Sequence, residues 1–213
     1  MKTTLIVIRH GFSEANKEKR FAGHSDFPLS DIGVLQAEKC ADTLKQEKID
    51  TIYASDLKRA YFTAVPLSEA LNIPIVRHKG LREIFAGRWE GDTFDQLEIK
   101  CAESYNTWKT DIGNAHPDGG ERVSDLYLRA VSAFREIAEQ NKGKTVCIAT
   151  HATPIRALCT AALGLGAENM KDVPWTANAS ISLFEYEDGR FTAVYTSKTD
   201  HLGDLTTRFP SNV

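Results

Sequence analysis

Two histidines follow short apolar stretches that lie far apart in the sequence. Residues 5–8 run directly into Arg9 and His10, and residues 145–150 run into His151. Short apolar stretches of this kind are typical of buried strands in a parallel sheet, which binds ligands beyond the carboxyl ends of its strands. A histidine at such an end can act as a nucleophile or as a general acid or base. If the two strands are neighbours, both imidazoles lie in the same crevice.

Gly11 and Arg59 add to the chemistry expected at this crevice. Gly11 follows the first histidine and would let the backbone turn closely around a ligand. Residues 50–54 form a second predicted strand, after which Ser55 and Asp56 cap a helix with Arg59 in its first turn. A guanidinium beside a helix N-terminus favours an anion, whereas an ion pair with a surface carboxylate is the alternative for Arg59.

The rest of the chain alternates predicted helices with short strands. A strand near the sheet edge is predicted at residues 73–76, and Pro66 should kink the preceding helix or mark its boundary. Apolar periodicity predicts helices at residues 94–108, 123–141 and 154–163, and a hairpin at residues 181–195. This alternation favours an α/β fold.

Composition limits the classes of function. The chain has 213 residues, 42% of them hydrophobic, which fits one α/β domain with a substantial core. Its formal net charge of −3 provides no basic field for nucleic acid, so we expect a small-molecule partner. No window is apolar enough for a membrane span and the N-terminal apolar run is short for a secretory signal, so we expect a cytoplasmic protein. The cysteines lack paired spacing and are expected to be free, buried thiols: Cys40, Cys101, Cys147 and Cys159.

Several of these residues belong to an ordered series of motifs. The series runs through Arg9-His10-Gly11, Ser13, Asn16, Gly23, Asp26, Ser55-Asp56-Leu57, Arg59-Ala60, Glu83 and His151. In this order the chain resembles the histidine phosphatase superfamily, in its phosphoglycerate-mutase-like branch. The resemblance implies a three-layer αβα fold with a mostly parallel central sheet, formed by a single domain over residues 1–213. It places a substrate lid within residues 83–121.

The resemblance also assigns roles to residues of the crevice. It implies that His10 attacks phosphorus, that Glu83 acts as acid and then as base, and that His151 is a third catalytic residue. The implied phosphate ligands are Arg9 and Arg59, with Asn16 and Ser13 as neutral donors. An ion pair between Arg82 and Glu83 is the structural alternative. No metal or other cofactor is expected, because the cationic side chains supply the positive charge.

For residues around the rim of the crevice, the sequence allows more than one interpretation. A basic run is either a solvated face or a site for a second anionic group: Lys17, Lys19 and Arg20. Three aromatic residues are either a pocket wall or core packing: Phe21, Phe85 and Trp89. The chain departs from the commonest family pattern at Phe12 and at Ala152-Thr153. These departures affect the expected shape of the pocket.

The function expected from the resemblance is a metal-independent phosphomonoester hydrolase that forms a phosphohistidine and acts on a small phosphorylated metabolite. The closest alternative is a cofactor-dependent phosphoglycerate mutase, which passes its phosphate to a second hydroxyl. Members of that branch usually have longer chains, which favours hydrolysis here. A phosphate-binding module without catalysis is a remote alternative, and the intact set of chemical groups argues against it. The substrate and the oligomeric state stay open.

Overall fold

The computed structural model of the protein describes residues 1–207. Within them, six strands form one sheet: β1 Thr3–Arg9, β2 Thr51–Ala54, β3 Ile75–Arg77, β4 Thr145–Thr150, β5 Ile181–Glu187 and β6 Arg190–Lys198. The strand order is β3-β2-β4-β1-β5-β6. The first four strands in this order are parallel, while β5 and β6 pair antiparallel. The predicted α/β fold with a mostly parallel central sheet is confirmed, and β3 lies at the sheet edge as expected.

The helices of the described residues are α1 Glu14–Lys17, α2 Asp31–Leu44, α3 Lys58–Leu71, α4 Phe94–Lys100, α5 Ala102–Thr110, α6 Val123–Gln140 and α7 Ala152–Ala162. Hydroxyl side chains begin three of them. Ser13, Ser30 and Thr93 each accept a hydrogen bond from a main-chain N–H three residues further on. These bonds satisfy N–H groups that a helix leaves unpaired at its start.

Alternate residues of β1 face two separate cores. Leu5 and Val7 belong to an apolar cluster that includes side chains of α6 and α7. Ile6 and Ile8 belong to a second cluster, which includes side chains of α2 and α3. Because successive side chains of a strand point to opposite faces, helices cover both faces of the sheet and the fold has three layers. Burial on both faces explains the uninterrupted apolar sequence of β1.

The segment predicted as a lid, residues 83–121, packs its apolar side chains into the first core. Trp89, Leu97 and Tyr105 are fully buried there. The prediction of one helix over residues 94–108 is wrong, because Cys101 has φ −132° and ψ 38° and separates α4 from α5. The lid role itself stays a prediction.

The start of α3 differs from the prediction. Its N-cap residue is Leu57, which has no side-chain oxygen, so Ser55 and Asp56 do not cap it as expected. Instead, Oδ1 of Asp26 accepts from the Lys58 N–H at 2.6 Å. The helix then continues through Pro66 to its end at Leu71, so the proline marks no boundary.

Gly11 is required by packing between two backbone segments. A Cβ on Gly11 would lie 2.6 Å from the carbonyl oxygen of Gly33, in the first turn of α2. A Cβ on Gly33 would in turn lie 2.1 Å from the carbonyl oxygen of Phe12. The close approach predicted at Gly11 is therefore made to α2, and no ligand is needed to explain it.

The cysteines are free thiols, of which Cys40, Cys147 and Cys159 are buried as predicted, whereas Cys101 is partly exposed. No helix in residues 1–207 is both long and apolar enough to cross a bilayer. The predicted domain extends to residue 213, and residues 208–213 lie outside the described part of the chain.

Candidate active site

The carboxyl ends of β1 and β4 lie side by side. Arg9 is paired with Thr150 in the parallel register, and the His10 N–H donates to the Thr150 carbonyl oxygen at 2.9 Å. The imidazole rings of His10 and His151 consequently meet, with their centroids 5.2 Å apart. The structure therefore brings together the two histidines that the sequence placed at strand ends.

One ring nitrogen of His10 has a lone pair that can react with a substrate. Its Nδ1 lies 2.7 Å from the carbonyl oxygen of Gly11. Because a carbonyl oxygen can only accept, Nδ1 carries the proton and the lone pair of the neutral ring is on Nε2. Burial lowers the pKa of His10 well below 6.5, and the charges of Arg59 and Arg9 lower it further. The ring is therefore neutral near neutral pH, with Nε2 able to act as a nucleophile.

His151 is fully buried beside His10. Its Nε2 lies 2.8 Å from the hydroxyl oxygen of Ser55, which follows β2. Its Nδ1 is buried and has no hydrogen-bond partner within the described residues. Burial lowers the pKa of His151 well below 6.5, with a further contribution from Arg59. The second imidazole is thus also neutral and holds an unused polar atom in the interior.

Two buried arginines, Arg9 and Arg59, accompany the histidines. The carbonyl oxygens of Gly23 and Ser25 accept from the terminal nitrogens of Arg59 at 2.7 and 3.0 Å, and Thr176 supplies a carbonyl to Arg9. Burial lowers the pKa of each guanidinium to about 10, and nearby carboxylates partly oppose this. Both groups remain charged near neutral pH, and neutral carbonyls hold them in place.

Glu83 lies against the start of α7. Its Oε2 accepts from the Thr153 N–H at 3.3 Å, and its Oε1 accepts from the Ile84 N–H at 2.8 Å. The alternative ion pair with Arg82 is wrong, because Arg82 donates to both carboxylate oxygens of Asp56, at 2.7 and 2.6 Å. These bonds lower the pKa of Asp56. The Glu83 carboxylate is therefore not paired with Arg82 and can act in the cleft.

Asn16 reaches the cleft, whereas Ser13 supports it from behind. Ser13 is fully buried, and its hydroxyl accepts from the Asn16 N–H at 3.2 Å as the N-cap of α1. Oδ1 of Asn16 accepts from the Ser13 N–H and from Nδ2 of Asn178, both at 3.1 Å. Because Oδ1 is occupied twice, the Asn16 amide presents its N–H₂ group as its free donor. Asn178 was not predicted from the sequence.

A cleft with about 570 Å³ of empty space opens over these groups. It is lined by Arg9, His10, Asn16, Arg20, Phe21, Ala22, Gly23, Arg59, Glu83, Phe94, Trp108, Ala152, Thr153 and Trp175. Five of the seven predicted site residues belong to this lining. The other two, Ser13 and His151, are buried behind it.

Arg20 is the member of the basic run that lines the cleft. Its Nε lies 2.5 Å from a carboxylate oxygen of Glu18, and its Nη1 donates to the Gly91 carbonyl oxygen at 2.6 Å. Lys17 and Lys19 are exposed and lie outside the lining. The solvated-face alternative therefore describes the two lysines. Within residues 1–207, no group of three or more His, Cys, Asp or Glu residues is arranged to hold a metal ion.

The aromatic wall differs from the one expected. Of the predicted residues, Phe21 lines the cleft, Trp89 is buried in the core, and Phe85 is exposed with its ring 5.4 Å from that of His24. Sequence reasoning missed the remaining aromatic lining, which consists of Phe94, Trp108 and Trp175. The first two fall in a stretch whose helical periodicity is only weakly amphipathic, and Trp175 lies in a loop without any pattern.

The departures from the family pattern affect the cleft unequally. Ala152 and Thr153 line it, so their side chains do shape the cleft. Phe12 lies outside the lining, and its N–H donates to Oε1 of Gln36 at 2.7 Å.

Comparison with known proteins agrees with this geometry. A sequence profile described as the histidine phosphatase superfamily (branch 1) matches residues 5–199. The chain belongs to the histidine phosphatase superfamily. The resemblance drawn from the motifs is thereby confirmed.

Relatives of this histidine phosphatase include proteins that are named as phosphatases. Phosphoserine phosphatase 1 of Hydrogenobacter thermophilus is 32% identical over 204 residues, which cover 94% of this chain and 95% of that protein. Among solved structures, YhfR of Bacillus stearothermophilus is 30% identical with a TM-score of 0.89, covering 94% and 99% of the two chains. Mycobacterial glucosyl-3-phosphoglycerate phosphatase is 28% identical with a TM-score of 0.85, covering 93% and 100%. This histidine phosphatase is accordingly a phosphoric monoester hydrolase, as predicted.

Proposed function

We propose that this histidine phosphatase hydrolyses the phosphomonoester of a small metabolite through a phosphohistidine on His10. The observation that carries the proposal is the tautomer of His10, whose Nδ1 proton is bound by Gly11 and whose Nε2 lone pair is free for attack. Two buried guanidinium groups, those of Arg9 and Arg59, line the same cleft. Such cations offset the repulsion between a nucleophile and an already anionic phosphoryl group.

The phosphoryl group would be held by donors that converge on the cleft. Arg9 and Arg59 supply charge, and the amide of Asn16 supplies a neutral N–H donor. Ser13 acts by orienting Asn16 in this proposal, since its own hydroxyl caps α1. The unpartnered Nδ1 of His151 supports a donor role for that ring as well. In this proposal the cationic side chains supply the positive charge that the phosphoryl group requires, and no step is assigned to a metal.

Glu83 would serve both halves of the reaction. In the first half, Nε2 of His10 bonds to phosphorus while the ester oxygen leaves and takes a proton from the Glu83 carboxyl group. In the second half, the Glu83 carboxylate takes a proton from water as the water oxygen bonds to phosphorus. The bond between nitrogen and phosphorus then breaks, which releases inorganic phosphate and restores neutral His10.

The finer features of this proposal follow from the sequence. We place the reaction in one domain, with residues 83–121 forming a substrate lid because they carry Glu83 and two aromatic lining residues, Phe94 and Trp108. The expected substrate is a small phosphorylated metabolite, in keeping with the names of the phosphatase relatives. The cytoplasmic location stays a prediction.

The test is phosphate release from a panel of monoesters in the presence of a chelator, beside an assay for phosphoglycerate mutase. The panel contains phosphoserine, glucosyl-phosphoglycerate, phosphoglycerate and simple alkyl and aryl phosphates. Release of phosphate despite the chelator is the expected result. Isomerisation of phosphoglycerate that depends on bisphosphoglycerate, without release, would contradict the proposal and identify a mutase. Binding of these compounds without turnover would identify a binding module.

A further inference from the structure

The cleft has two chemically different halves. We call the charged and hydrogen-bonding part of its lining the inner half, which includes Arg9, His10 and Arg59. We call the aromatic part the outer half, which consists of the side chains of Phe21, Phe94, Trp108 and Trp175. Because the proposed function places the phosphoryl group in the inner half, the alcohol that leaves must lie against the aromatic half.

Trp175 is a half-buried ring that is held in a fixed position. The guanidinium carbon of Arg156 lies 4.4 Å from the centroid of its ring, a cation–π contact. Arg156 is itself fixed, because its Nε donates to the Met170 carbonyl oxygen at 2.7 Å. The centroid of the Trp108 ring lies 6.0 Å from that of Trp175, and the two ring planes are inclined by 30°. Trp175 thus offers a rigid aromatic surface to the cleft.

The wall continues into the core through contacts between the rings, and the indole Nε1 of Trp108 is a buried polar atom within it. Phe21 and Trp108 are buried and meet edge to face, with centroids 5.1 Å apart. Phe21 makes the same kind of contact with Trp89, at 5.3 Å. A polar alcohol placed here would lose hydration and gain few hydrogen bonds, whereas an apolar ring would gain contact area.

Arg20 does not change this preference. It is the cation that lines the cleft outside the phosphate cradle, and its charge is already compensated by Glu18 at 2.5 Å. A second anionic group on the substrate would have to compete with that carboxylate. The outer half therefore does not require a substrate with two phosphates.

We propose that the aromatic half of the cleft binds the leaving alcohol through a flat apolar ring stacked near Trp175. The preferred substrates are then monoesters of alcohols that carry an aromatic or similarly planar apolar group, in preference to small polar alcohols such as serine or glycerate. This inference rests on the proposed function for the position of the phosphoryl group.

The test compares two alkyl esters whose leaving alcohols differ little in acidity, phenethyl phosphate and ethyl phosphate. The wild-type enzyme should show at least about a tenfold higher kcat/KM for phenethyl phosphate, because burial of a ring in an apolar pocket gives discrimination of that order. Trp175→Ala should reduce the ratio to about threefold or less, and Trp175→Phe should restore most of it. Phe62→Ala is a matched control, since Phe62 is an exposed aromatic residue of α3 outside the lining.

The corresponding phosphonates separate the two proposals, because they bind without being hydrolysed. Calorimetry should show the same preference for phenethylphosphonate over ethylphosphonate, and the same loss in Trp175→Ala. If the phosphonate preference holds but neither these esters nor any other monoester of the panel is hydrolysed, the proposed function fails and the aromatic subsite stands. Equal binding of both phosphonates, or a preference that Trp175→Ala leaves unchanged, would overturn the subsite. A preference for phosphoserine over phenethyl phosphate in kcat/KM would overturn it as well.

Discussion

Nδ2 of Asn178 donates to the carbonyl oxygen of His10 at 3.0 Å, across 168 positions of sequence. The same nitrogen lies 3.4 Å from the carbonyl oxygen of Gly11, which also accepts from the His10 ring. It lies 3.1 Å from Oδ1 of Asn16. One buried amide therefore positions both the proposed nucleophile and a proposed phosphate ligand.

Replacing Asn178 with alanine should slow catalysis more than it weakens substrate binding. We expect kcat to fall by about 10- to 100-fold, because His10 and Asn16 lose a shared support, and the free energy of unfolding to fall by about 1–3 kcal/mol. Steady-state kinetics and urea unfolding measure the two effects. Asn106→Ala, at an exposed position of α5, is the matched control. A kcat within about twofold of wild type would show that Asn178 has no positioning role.

Replacing Glu83 with glutamine should harm some substrates far more than others. Ethyl phosphate has a poor leaving group and needs a proton donor, so its hydrolysis should slow by about 10²- to 10⁴-fold. Para-nitrophenyl phosphate has a good leaving group, so formation of the phosphoenzyme from it should slow much less. Single-turnover kinetics with both esters measures the difference. An equal loss for the two substrates would rule out proton donation by Glu83 to the leaving group.

The buried neutral histidines should make the fold sensitive to acid. Burial lowers the pKa of His10 and His151 well below 6.5, so below about pH 6.5 the unfolded chain binds more protons than the folded chain. The free energy of unfolding therefore has its full value above that pH. It decreases as the pH falls toward the folded-state pKa values of the two histidines. When the pH falls from about 7.5 to about 5.5, we expect the free energy of unfolding of His10→Gln to decrease by about 1 kcal/mol less than that of wild type.

Urea unfolding at the two pH values checks this expectation. Titratable groups that both proteins share contribute equally to wild type and variant and cancel in the comparison. An identical loss in both proteins would mean that His10 is not held neutral in the folded state.

The strands and the two histidines could be predicted because their signals are local. Residues 5–8 and 146–149 are apolar on both faces of the sheet, and polar residues follow them where the strands end. Arg59 could be placed in the first turn of its helix for the same reason. The cap of α3 could not be predicted, because the Asp26 side chain that accepts from the first N–H of the helix belongs to a distant loop.

The outer half of the cleft could not be predicted because its residues are joined only by the tertiary fold. Trp108 belongs to α5 and Trp175 to the loop before β5, and neither stretch carries a pattern that relates them. Asn178 is likewise a loop residue whose role depends on three partners near the N-terminus. The partner of Arg82 was open for the same reason, since Asp56 is more distant in sequence than Glu83.

Direct trapping of a phosphoenzyme tests the central claim. The protein is mixed with a radiolabelled phosphomonoester, quenched within one turnover, and mapped to find the labelled residue. The account predicts an acid-labile label on His10, and a loss of hydrolysis of at least about a thousandfold in a His10→Ala variant that unfolds cooperatively. A label on another residue, turnover without a label, or residual hydrolysis above about a thousandth of wild type would contradict it.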